Sequence, residues 1–71
     1  MAFSRVYAEI ARKLLERGTL RSEDIDELEQ IYGDDARDAL DALVAAGAAR
    51  RVGSRVEVAD VDKLKRVARL R

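Results

Sequence analysis

From Ala2 to Arg17 apolar residues recur every three or four positions as Phe3, Val6, Tyr7, Ile10, Leu14 and Leu15. Arg5, Glu9, Arg12, Lys13 and Glu16 fill the opposite side. This is the 3.6-residue period of an amphipathic helix, predicted over about residues 2–17 and closed by Gly18. Thr19-Leu20-Arg21 has room only for a bend or one strand residue pair. Ser22 is a candidate N-cap, because its hydroxyl can accept from an unpaired amide of the first turn. Glu23 and Asp24 place negative charge where the helix dipole favours it. Ile25, Leu28, Ile31 and Tyr32 predict the buried stripe of a second helix over about 23–32, stopped by Gly33.

Asp34 or Asp35 is expected to cap a third helix over about 35–46, with Ala36, Leu40, Leu43 and Val44 facing inward. Only two or three residues separate helices 2 and 3, so their axes must cross steeply, as in a helix-turn-helix. After Gly47 the period falls to two. Arg50-Arg51-Val52 and Arg55-Val56-Glu57-Val58 flank Gly53-Ser54, a sequence suited to a tight type II′ hairpin over 49–59. The register stays open at this level: a two-residue loop sets Arg51 opposite Val56, a three-residue loop sets Val52 there. Asp60 is expected to cap a fourth helix over about 61–70, with the apolar line Val61, Leu64, Val67 and Leu70.

The pattern Asp38-Ala-Leu-Asp-Ala-Leu-Val-Ala-Ala-Gly47, followed by Ala48-Ala49-Arg50-Arg51-Val52, resembles the third helix and wing of the winged helix-turn-helix family. The resemblance covers roughly residues 3–59, with the fourth helix as a common extra. It implies a mainly α fold with three core helices, a two-stranded wing and a C-terminal helix, in one domain over 1–71. It specifies fold better than function. Members of the family include DNA-binding regulators and protein-docking modules, and a fold shared so widely does not fix the task.

The 71 residues have room for one domain, and their large apolar side chains suffice for one small core. No cysteine or histidine is present. That removes thiol chemistry, zinc-thiolate sites and the usual general base at neutral pH. Ser4, Ser22 and Ser54 have no histidine partner, and Asp34, Asp35 and Asp38 lack calcium-loop spacing. No phosphate-cradling glycine-rich loop occurs. The expectation is a non-catalytic protein without cofactor or metal, soluble and cytoplasmic, with no membrane partner. Asn and Pro are absent and Arg far outnumbers Lys, which fits a heat-adapted source; a high-GC genome gives the same bias.

Net charge is zero, but its distribution is uneven. Residues 1–21 carry +3, residues 22–47 carry −8, residues 48–59 carry +2 and residues 60–71 carry +3. Projected at about 100° per residue, the outward side of the third helix holds Asp34, Asp38, Asp41, Ala42 and Ala45, with Arg37 at the flank. A groove-reading helix needs donors to base edges and phosphates. Carboxylates repel phosphate and donate no hydrogen bond. This side is therefore expected to dock a protein with a basic surface, or another copy of the chain. The competing reading is that these acids only cap helices and promote solubility.

Arg50, Arg51 and Arg55 around the hairpin, with Lys63, Lys65, Arg66, Arg69 and Arg71 on the fourth helix, are the candidates for nucleic-acid contact, DNA included. The competing reading pairs Arg50 or Arg51 with Glu57 and leaves the fourth helix as a solvated face. Phe3, Tyr7 and Tyr32 lie on apolar stripes and are expected to pack in the core rather than stack on bases. The sequence thus points to an interaction module of a nucleic-acid-handling complex. Two alternatives stay open: a stand-alone DNA-binding transcriptional regulator, dimeric through the apolar lines of helices 1 and 4, and a pure protein adaptor.

Overall fold

In a computed structural model, backbone is described from Ala2 to Arg69 and side chains from Arg5 to Arg69. The expected roles of the Phe3 side chain, Leu70 and Arg71 lie outside the described residues. The chain runs α1 (Ala2–Arg17), β1 (Thr19–Leu20), α2 (Ser22–Tyr32), α3 (Asp34–Ala45), β2 (Ala49–Val52), β3 (Arg55–Val58) and α4 (Val61–Ala68). It is mainly α with a small antiparallel sheet, an arrangement compatible with a winged-helix-like fold.

The sheet has three strands in the order β1-β3-β2, not the two expected of the wing. Thr19 and Leu20 pair with Glu57 and Val56, so the segment after α1 supplies a short third strand. The hairpin loop has two residues: Arg51 pairs with Val56 and Val52 with Arg55. Gly53 has φ +61 and, among the described residues, only glycines have positive φ, so Ser54 is not left-handed. Positive φ at the first turn position alone is the type II′ signature. Paired residues of an antiparallel sheet share a face. Leu20, Val56, Val58, Ala49 and Arg51 therefore point toward the helices, while Thr19, Arg50, Val52, Arg55 and Glu57 point away.

The core draws one or more side chains from every element. Ile10 and Leu14 of α1, Leu40 and Leu43 of α3, Leu20, Leu28, Val56 and Leu64 are all essentially inaccessible to solvent. Burying each is worth about 1.5–3 kcal/mol against leaving it exposed. Ala8, Ala11, Ala36, Ala39 and Ala48 are also buried. Their small size brings backbones close, and Ala39 was not part of the inward set expected of α3. Helix α1 is the hub, packing on both α3 and α4.

Two capping expectations and two core expectations need correction. Ser22 does not cap α2; it is the first helical residue, and Arg21 holds the cap position. The cap is supplied from inside the helix: Asp24 Oδ2 accepts from Arg21 N at 3.1 Å, while Asp24 Oδ1 accepts from Arg17 Nη1 at 2.9 Å. Neither Asp34 nor Asp35 caps α3, because Gly33 ends α2 and begins α3 at once. Its N–H donates to Glu29 O at 2.7 Å and its carbonyl accepts from Ala36 N at 3.2 Å. That double role needs φ 66 and ψ −142, a region open essentially to glycine alone.

Ile31 is 64% exposed instead of buried. On the helix it lies about 100° from the middle of the stripe formed by Leu28, Ile25 and Tyr32. Val61, also expected inside, is 47% exposed; as the first residue of α4 it precedes the turn that packs on α1. The Asp60 cap is as expected, with Oδ1 accepting from Lys63 N at 3.1 Å.

Candidate functional site

The outward face of α3 follows from which side the core claims. With Ala36, Ala39, Leu40 and Leu43 buried, Asp34, Asp38, Asp41 and Ala45 are left exposed. Ala42 is half-buried, so it forms less of this surface than its helical position suggests. Arg37, the one cation on the helix, has its Nε 3.5 Å from Glu29 Oε2 on α2. The exposed acids Glu23, Asp26 and Glu27 of α2 extend the negative surface. Among the described residues, Asp34 and Asp38 have no cation within ion-pair distance and are free to meet one from outside. Their carboxylates cannot donate to base edges and repel phosphate.

The hairpin separates its three arginines by face. Arg50 and Arg55 lie on the outer sheet face on either side of Glu57, with Arg50 Nε 3.7 Å from Oε1 and Arg55 Nη2 3.7 Å from Oε2. Arg50 stands directly opposite Glu57 across the strands. Arg51 stands opposite Val56 on the inner face, where its guanidinium reaches α3 and donates from Nη2 to Asp41 Oδ1 at 2.6 Å. Of the two pairings considered for Glu57, the structure forms the one with Arg50, and Asp41 takes Arg51. No spacing rule signals the Asp41–Arg51 pair, because it depends on the hairpin register. A two-residue loop turns Arg51 inward and Val52 outward.

The fourth helix divides its cations differently. Lys63 Nζ donates to Ala46 O at 3.1 Å, at the carbonyl-rich end of α3 where the helix dipole favours positive charge. Lys63 therefore ties α4 to α3 as a positioning residue. Lys65, Arg66 and Arg69 are exposed and, with Asp62, frame a shallow groove of about 220 Å³. The opposite side of α4 is committed to the core through Leu64, with Val67 and Ala68 packed beside it.

Tyr32 is half-buried and packs against the core, as does Tyr7. Among the described residues, no three Asp or Glu side chains converge in a metal-holding group, and no helix is long and apolar enough to cross a membrane. Comparisons with protein-family models, with curated proteins and with solved structures find no match to this chain.

Proposed function

We propose that the chain is a non-catalytic winged-helix interaction module of a nucleic-acid-handling complex. In this reading the acidic α2–α3 face docks a protein with a basic surface, and the hairpin with α4 lies along nucleic-acid backbone without reading sequence. The winged-helix element of the proposal rests on the order helix, extended bend, helix, tight turn, helix and hairpin. The observation that carries the functional reading is the outward face of α3: Asp34, Asp38 and Asp41 stand where a groove-reading helix would present donors. Charge complementarity then favours a cationic protein surface there and leaves the polyanion to the basic elements.

The test is a pull-down from the native cell with wild type and with Asp34→Asn/Asp38→Lys. Both positions avoid Asp41, whose loss would also free Arg51. The reading predicts proteins captured by wild type and lost in the variant, with unchanged thermal unfolding cooperativity. Equal capture by the two overturns it.

A further inference from the structure

Polyanion binding depends on cations that are free to exchange their counterions for phosphates. Arg12, Arg17 and Arg37 each have a carboxylate oxygen within 3.5 Å. All three hairpin arginines are held as well, Arg50 and Arg55 by Glu57 and Arg51 by Asp41. Counting these two acids, the hairpin offers one net positive charge. A phosphate arriving there would have to displace a carboxylate that stays fixed a few ångströms away.

The situation on α4 differs. Lys65 and Arg66 of α4 and Arg69 at its C-cap fall within five consecutive residues and, among the described residues, have no carboxylate inside ion-pair distance, whereas Arg5, Lys13 and Arg21, likewise without one, are scattered over residues 5–21. Against Asp62 they leave two net positive charges, spread over about 6 Å of helix at 1.5 Å per residue. The helix that displays them is fixed at several points. Leu64 is fully buried, Asp60 caps the first turn, and Lys63 is bonded to the end of α3. A rigid display lowers the ordering cost of binding. The occupant is a phosphodiester backbone rather than a lipid surface, because the apolar side of α4 is already spent on the core and cannot enter a bilayer.

Resting on the nucleic-acid part of the proposed function and narrowing it, we infer that of the two elements it names, α4 with its C-cap binds the phosphates, through Lys65, Arg66 and Arg69, and that the hairpin arginines beside it are structural. Three neutralised phosphates imply a slope of log affinity against log salt of about −2.7 on duplex DNA and about −2.1 on a single strand, or roughly a 40-fold and a 20-fold loss between 50 and 200 mM salt.

The experiment is fluorescence anisotropy of the full chain with a labelled 20-mer, as duplex DNA and as single-stranded RNA, over that salt range. Three proteins are compared: wild type, Lys65→Gln/Arg66→Gln/Arg69→Gln, and Arg50→Gln/Arg51→Gln/Arg55→Gln. Circular dichroism melts show that each is folded. The expected result is at least a 10-fold loss at 50 mM salt in the α4 variant and less than 3-fold in the hairpin variant, on either nucleic acid. The reverse ranking, or equal losses, overturns the inference and leaves the nucleic-acid reading standing. Absence of wild-type binding at 50 mM salt overturns both, as does binding to anionic vesicles in place of the oligonucleotides.

Discussion

Arg51 reaches across from the hairpin to Asp41 on α3, its Nη2 2.6 Å from Oδ1, although the two residues belong to segments of opposite charge. The pair closes the end of the sheet against the helix and removes one cation and one anion from the surfaces on which binding was expected. Both side chains are about half exposed. Exposed pairs of this kind contribute about 0.2–1 kcal/mol and weaken with salt. A double-mutant cycle with Arg51→Gln and Asp41→Asn, followed by urea unfolding, should give a coupling in that range at low salt and none in 1 M salt. A coupling that salt does not reduce would contradict the assignment of a solvent-screened pair.

Gly33→Ala separates backbone strain from packing. A Cβ there would have no neighbour within 4 Å, so any loss comes from the backbone conformation at φ +66. The expected destabilisation is about 1–3 kcal/mol. At about 4–8 °C per kcal/mol for a domain of this size, the melting temperature should fall by roughly 5–20 °C. A neutral substitution would mean that the α2–α3 junction has another accessible path.

Much of this architecture is legible in the sequence, and the misses have definite causes. Helices α1 and α4 and the Gly53-Ser54 turn follow from apolar period, Asp60 and a single glycine. A strand residue pair at Thr19-Leu20 is one of the two readings the sequence leaves open; its pairing with β3 is not legible, because two residues are below the length at which alternation carries a signal. Ile31 lies outside although its spacing predicts it inside, because helical spacing gives a stripe but not its centre. That centre depends on which neighbours α2 meets, and α2 packs mainly on α3 with β1 beside it. The outward acids of α3 are readable because Ala36, Leu40 and Leu43, three of the four residues expected inside, are buried and fix that helix's rotation. The commitment of Arg51 to Asp41 was not readable, since one residue of register decides which hairpin side chains face the helices.

The contrast between Leu28 and Ile31 checks that rotation of α2. Leu28 is 1% exposed and Ile31 64%. Leu28→Ala should cost about 2–5 kcal/mol, as for other buried leucines, whereas Ile31→Ala should stay within about 0.5 kcal/mol. Denaturant unfolding of the two variants measures both. Comparable losses would place Ile31 inside the core.

Asp60→Ala should remove the cap of α4 at a cost of about 1 kcal/mol. Because the lost acceptor serves Lys63 N, amide exchange should accelerate first in the leading turn of α4 and leave α1 and α3 protected. Uniform acceleration throughout the chain would show that α4 does not open as a separate unit.

The central claim, that the negative side of α3 faces away from nucleic acid while α4 meets it, is tested most directly by NMR. A ¹⁵N-labelled chain titrated with a short duplex at low salt should shift amides of Lys65, Arg66 and Arg69, leaving those of Asp34, Asp38 and Asp41 in place. Shifts concentrated on α3, with α4 unaffected, would contradict the account.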